Sequence, residues 1–123
     1  MEQTMKAEDL MVLLQQFTGT EYYYQHKAFG SAKLLLTDGT CFLREQANCY
    51  WLFDLICSYQ YKLHNETFQC WKLKREKTDG WLITATDGND KQLVTQKIPY
   101  SDFPIEEVML FLADGVVMLP SEN

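Results

Sequence analysis

The longest apolar stretch of the chain runs from Glu45 to Gln60 (EQANCYWLFDLICSYQ) and holds neither Gly nor Pro. Between Ala47 and Tyr59 only Asn48, Asp54 and Ser58 are strongly polar. Apolar positions pointing nearly all the way round a helix of about four turns mark an element buried on most sides. The pattern predicts a central buried helix over about 45–60. A one-sided pattern precedes it. Leu10, Leu13, Leu14 and Phe17 fall at i, i+3, i+4 and i+7, which predicts an amphipathic helix over about 5–17. Thr4 can cap its start, Glu8 and Asp9 suit its first turn, and Gly19 suits the stop past its end.

Elsewhere the rhythm becomes alternation. Trp71, Leu73 and Arg75 share one face of an extended segment, as do Trp81, Ile83 and Ala85, while Lys72 and Lys74 lie opposite. That is the signature of an antiparallel sheet with one wet face. Four of the six glycines follow aspartate, at Asp38-Gly39, Asp79-Gly80, Asp87-Gly88 and Asp114-Gly115. Asp-Gly between apolar runs signals a tight hairpin, because both residues tolerate positive φ. The four pairs predict hairpins joining 33–37 to 40–43, 67–74 to 81–85, 81–85 to 92–98, and 108–112 to 116–119. Thr20–Phe29 reads as a short strand or ordered loop. Ser101–Glu107 reads as a helix start, with a capping residue, a first-turn proline and two acids. The expected fold is α+β: a single domain, 1–123, built on an antiparallel β-meander of about five to seven strands, with the central and N-terminal helices packed on it. Strands do not alternate with crossover helices as a doubly wound α/β fold requires.

Charge narrows the choice of partner. The net charge is −6 and the sequence pI about 4.8. A uniform phosphate-binding surface is therefore not expected, whereas a basic protein, including one that handles nucleic acid, is an electrostatic match. The distribution is uneven. Residues 62–77 carry five of the eleven cations (Lys62, Lys72, Lys74, Arg75, Lys77), and residues 101–123 carry five acids (Asp102, Glu106, Glu107, Asp114, Glu122) and no cation. The plainest account is that these regions neutralise each other or solvate the surface. Tyr22, Tyr23 and Tyr24 in succession cannot all point inward, and surface tyrosine is favoured at protein interfaces.

Catalytic signals are sparse. There is no G-x-G-x-x-G, no G-x-x-x-x-G-K-[ST] and no G-x-S-x-G. His26 and His64 have no ligand partner at helical or hairpin spacing, so neither a metal nor a cofactor is expected. Cys41, Cys49, Cys57 and Cys70 form no C-x-x-C pair, and no secretory signal is read before them. Reduced thiols in a cytoplasmic protein are expected, with Cys49 and Cys57 as small core hydrophobes, and Asn65-Glu66-Thr67 as a chance sequon. No stretch approaches the length of a membrane span. Asp54 stands apart, a carboxylate inside Tyr50-Trp-Leu-Phe-Asp-Leu-Ile56. Either it lies on a narrow wet stripe with Tyr50 and Ser58, accepting hydrogen bonds, or it is a shielded acid or base.

Several phrases occur together: Phe17-Thr-Gly-Thr-Glu21, Leu36-Thr-Asp-Gly39, Tyr50-Trp-Leu-Phe-Asp54, Phe68-Gln-Cys-Trp-Lys-Leu73, Asp102-Phe-Pro104 and Leu119-Pro-Ser-Glu122. As a set they resemble a family of small uncharacterised bacterial and mobile-element proteins, a domain of unknown function, from about residue 10 to the C-terminus. The resemblance implies a cytoplasmic, bacterial or phage setting and supplies no site residue.

The expected function is a non-enzymatic protein-binding module, an accessory or anti-defence (anti-CRISPR-like) inhibitor that occludes a basic nucleic-acid-handling partner. Its contact candidates are Glu21, Tyr22, Tyr23, Tyr24, Asp102, Glu106 and Glu107. The alternatives are a small enzyme using Asp54 with a His or Tyr supplied by the fold, and a nucleic-acid binder using Lys72, Lys74, Arg75 and Lys77 beside Trp71 and Trp81.

Overall fold

The computed structural model describes residues 6–28, 33–76 and 80–123. Its elements are α1 (Ala7–Gln15), β1 (Tyr24–Lys27), β2 (Lys33–Leu36), α2 (Asp38–Gln46), α3 (Tyr50–Leu63), β3 (Phe68–Arg75), β4 (Trp81–Thr86), β5 (Gln92–Ile98), β6 (Glu107–Ala113) and β7 (Val116–Met118), followed by a 3-10 turn, Pro120–Glu122. The fold is α+β. One seven-stranded sheet runs in the order β1-β2-β7-β6-β3-β4-β5. The expected meander holds for β3, β4 and β5, which pair in sequence. The chain then crosses back over two strands, and β6 pairs with the other side of β3. A single parallel pair, β2 with β7, joins the N-terminal hairpin to the C-terminal one.

Helices pack on one face of this sheet. From α3, Leu52, Phe53, Ile56 and Cys57 are buried against the inward residues Trp71, Leu73, Ile83, Ala85, Leu110 and Val117. The predicted strand alternation is observed, since Trp71, Leu73, Trp81, Ile83 and Ala85 are all buried. A buried polar chain is satisfied within this layer: Trp71 Nε1 donates to Gln69 Oε1 at 2.9 Å, and Gln69 Nε2 donates to Gln60 Oε1 at 2.9 Å.

The central helix is not continuous over 45–60. It is two helices, broken at 47–49 by a Schellman stop. Asn48 takes φ +51°, Ala47 N–H reaches Leu43 O, and Cys49 N–H reaches Arg44 O at 3.1 Å. Asn is the residue that most readily takes this conformation without being Gly. α3 then begins at Tyr50 and runs past Gln60 to Leu63. α1 spans Ala7–Gln15, and the predicted cap Thr4 lies outside the described residues.

Of the four Asp-Gly pairs, Asp114-Gly115 is a tight turn with both φ angles positive, +53° and +77°, between β6 and β7. Asp87-Gly88 lies in the turn joining β4 to β5, with Gly88 at φ +90°. β3 and β4 pair antiparallel as expected, although Asp79 lies outside the described residues. Asp38-Gly39 is a correction: it opens α2 instead of closing a hairpin, and 40–43 is helical. Thr37 is extended, forms a reciprocal capping box with Thr40, and leaves Asp38 in the first turn, where the helix dipole favours an acid. Residues 101–106 are a second correction, since no helix starts there. Phe103 and Ile105, two apart, are both buried, as an extended segment allows and a helix does not. Phe103 stands edge-on to Trp81 at 5.7 Å.

Candidate functional site

The contact candidates fall on two flanks of the sheet, the β1 side and the crossover into β6. β1 starts at Tyr24, opposite Leu36. Leu36 is level with Val117, and β6 starts at Glu107, opposite Lys74. The 99–106 crossover passes the same end, where Trp81 pairs with Ile98 and with Arg75. Leu36, Val117 and Leu112 are level, so Tyr24 lies three strands across and five residues along the sheet from Glu107, although the two segments are some eighty positions apart in sequence.

The tyrosine segment is tied down rather than loose. Asp38, in the first turn of α2, accepts the Glu21 N–H through Oδ2 at 2.8 Å and the Tyr24 hydroxyl through Oδ1 at 3.1 Å. Its own N–H donates to Thr20 Oγ1 at 2.7 Å, and that hydroxyl donates to Tyr22 O at 2.6 Å. Tyr22 and Tyr23 are left 65% and 58% exposed on a braced loop. The Glu21 amide, helped by the Tyr24 hydroxyl, holds the Asp38 carboxyl below its ordinary 3.8, and the same hydrogen bond pushes the Tyr24 hydroxyl up. A depressed carboxyl contributes above the ordinary carboxylate range and loses that contribution as pH falls through the lower, folded value. The Glu21 amide shift, followed by NMR, should therefore titrate with a midpoint below 3.8. A midpoint at or above that value would mean the clamp is not made.

Between these two flanks the C-terminus returns to the start of α2. Glu122 Oε1 accepts the Thr37 hydroxyl at 2.6 Å and the Leu119 N–H at 2.9 Å, and Oε2 accepts the Gly39 N–H at 3.0 Å. A carboxylate at a helix N-terminus satisfies amides that have no partner within the helix and meets the positive end of the dipole. Next to it an apolar cleft of about 280 Å³ opens between α1, the start of β6 and the 3-10 turn. Met11, Leu14, Ile105, Val108, Leu119 and Pro120 line it, with Glu107 in its wall. The volume falls at the bottom of the roughly 300–1,000 Å³ range of small-molecule pockets, so it suits one inserted side chain better than a cofactor.

Glu21, Asp102 and Glu106 are exposed, and among the described residues none of them forms an ion pair. Glu107 is partly engaged, lying 3.5 Å from Lys72 on the neighbouring strand. Mutual neutralisation of the basic and acidic regions is thus realised at that pair.

Asp54 lies on the wet stripe of α3 with Tyr50 and Ser58, all three exposed. The fold brings it His26, whose Nε2 is 2.7 Å from Asp54 Oδ1, while Arg44 lies 2.9 Å from His26 Nδ1. Arg has only donors, so Nδ1 must accept and Nε2 must carry the hydrogen given to Asp54. The imidazole is 5% exposed and both its nitrogens are used. His26 therefore has no free ring nitrogen, and it fixes the position of Asp54 Oδ1. Asp54 also lines an open hollow of about 550 Å³ together with Trp51, Tyr59, Tyr61, Lys62 and Gln96. This juxtaposition is invisible in the sequence, because His26 and Asp54 stand 28 positions apart on a strand and a helix.

The nucleic-acid candidates are divided between the two faces. Lys72 and Lys74 point outward, but Trp71 and Trp81 are buried inward and cannot stack on bases; Lys77 lies outside the described residues. Burial pushes the Cys49 thiol up to about 12, which makes it core filler rather than a nucleophile. Among the described residues no three His, Cys, Asp or Glu side chains cluster as a metal site, and no helix is long and apolar enough to cross a membrane.

No curated protein and no solved structure matches the chain. A family model does, over residues 8–123, so that the crossover, the acidic segments beside the cleft and the returning C-terminus all fall within the matched region. The chain belongs to a family of unknown function (DUF6876).

Proposed function

We propose that the chain is a non-enzymatic protein-binding module whose acid-flanked cleft receives a basic segment of a partner. The observation that carries this reading is an apolar cleft with exposed acids on the segments beside it: Glu106 between the lining residues Ile105 and Glu107, Asp102 on the crossover that leads to them, and Glu21 on the loop clamped to the start of α2, where Glu122 anchors the 3-10 turn. Exposed tyrosines supply contact area at low entropy cost, and the unpaired acids supply steering. The cleft gives an apolar anchor a place to be desolvated. A partner segment with one large apolar side chain between lysines or arginines fits these features, and basic nucleic-acid-handling proteins are rich in such segments. In a cytoplasmic, bacterial or mobile-element setting, occluding such a surface would make the chain an inhibitor of the anti-defence kind.

Affinity capture from bacterial lysate with mass spectrometry tests this reading when wild type is compared with the triple variant Glu21→Lys, Asp102→Lys, Glu106→Lys. The expected outcome is a basic partner whose capture falls with salt and is lost in the variant. Capture that is indifferent to both would overturn the electrostatic reading.

A second reading, a small enzyme built on Asp54, is favoured by one observation: the Arg44–His26 pair holds one oxygen of a carboxylate that lines an open hollow.

A further inference from the structure

The other face of the sheet carries a pattern of its own. Outward positions follow from the register. Leu35 lies beside Val116, Phe111 lies between Met118 and Cys70, and Phe68 lies beside Ala113. Leu35, Val116, Met118, Phe111 and Phe68 are all only half-buried, and no described helix lies over them. Gly88, in the β4–β5 turn, approaches the Phe68 ring from the side. Contiguous apolar surface of this kind is uncommon on a monomer and marks a docking surface.

Charge identifies the occupant. The chain as a whole is at −6. Yet this face carries Lys27 and Lys33 at one end of the apolar band and Lys72, Lys74 and Lys97 at the other, with Glu107 the one acid among its strand positions. That acid is paired with Lys72. The face is thus locally basic on a protein that is acidic elsewhere, opposite in sign to the flanks of the cleft. Its apolar centre is mostly aliphatic and thioether, and its two aromatics, Phe68 and Phe111, pack on each other at 5.1 Å and 57°. A base-stacking platform needs free ring faces. Flexible methionine side chains adapt instead to apolar peptide side chains. A long polyanion would also feel the repulsion of the whole chain, which a short acidic segment largely escapes through screening.

We infer that this bare sheet face docks a second partner: an acidic amphipathic protein segment that lays its apolar stripe on the Phe111–Met118–Val116 band and its carboxylates on the flanking lysines. The module then bridges a basic partner and an acidic one through opposite surfaces.

The probe is a synthetic amphipathic peptide with Leu and Phe on one face and Glu on the other, paired with a twin in which Lys replaces every Glu. Binding is read by NMR from the Val116 and Met118 methyl signals. The acidic peptide should shift both signals, with affinity falling as salt rises. The double variant Lys74→Glu, Lys97→Glu should bind it about tenfold more weakly. Both lysines are exposed, and the variant's unchanged amide spectrum would confirm its fold. Three results would overturn the inference: equal shifts from both peptides, shifts from single-stranded oligothymidine but not from the acidic peptide, or protection of the same methyls by self-association in sedimentation.

Discussion

Gly39→Ala should lower the free energy of unfolding by roughly 1–3 kcal/mol, the usual cost of stranding buried polar groups. A β-carbon at this position would stand 2.6 Å from Leu119 Cδ1 and 2.7 Å from Glu122 Oε1. Those atoms are the floor and the lid of the α2 N-terminus, so the added methyl must expel the carboxylate that caps it. Glu122→Ala removes the same cap directly and leaves the Gly39 N–H and the Leu119 N–H without their acceptor, while the Thr37 hydroxyl falls back on Val117 O and Thr40 Oγ1. Because both changes break one interaction, the double variant should be little less stable than the worse single variant, a coupling of roughly 1 kcal/mol or more. Urea midpoints of the four proteins measure it. Additive losses would show that Glu122 is not the cap. Since the cap anchors the 3-10 turn that walls the apolar cleft, the same variants should also weaken partner binding.

His26→Ala is expected to be the other costly change, at roughly 3 kcal/mol, while Asp54→Asn stays within about 1 kcal/mol of wild type. The asymmetry follows from donors and acceptors. His26 is the acceptor for a guanidinium that is only 12% exposed, and Arg44 Nε already lacks a partner among the described residues. Removing the imidazole strands a second donor and opens space beside Phe53, whose ring lies 5.7 Å away. Asn at 54 still accepts from Nε2, and its side chain remains on an exposed stripe. Thermal melts of the two variants measure the difference. Near-wild-type stability for Asp54→Asn together with complete loss of a cellular activity would favour the enzyme reading over the binding one.

The parts legible in the sequence were those with local periodicity. Trp71, Leu73, Trp81 and Ile83 announced a sheet covered on one face, and Asp114-Gly115 announced a hairpin, because strand alternation and positive-φ turns are encoded within a few residues. The α2–α3 break was partly legible, since Asn48 carries the left-handed stop, but a Gly-free run hid it. Asp38-Gly39 misled for a definable reason. A dipeptide that suits a tight turn also suits a helix start when Thr precedes it, and Glu122, eighty-three positions away, favours the second outcome. The parallel β2–β7 pair and the return of β6 to β3 were not legible, since long-range pairing leaves no local period. The acidic contact residues were legible as types. Their placement beside the cleft depends on tertiary contacts, such as the Asp38 clamp on Glu21 and the return of Glu122 to Gly39.

The most direct test of the central claim, that the acid-flanked cleft docks a basic segment, is methyl NMR of the protein titrated with a lysine-flanked peptide bearing one central phenylalanine. The account predicts salt-sensitive shifts at Met11, Leu14, Ile105, Val108 and Leu119, which line the cleft, and their loss when the peptide's phenylalanine is replaced by alanine. Shifts that spread over the whole acidic surface without the cleft methyls, or that survive the alanine replacement, would contradict it.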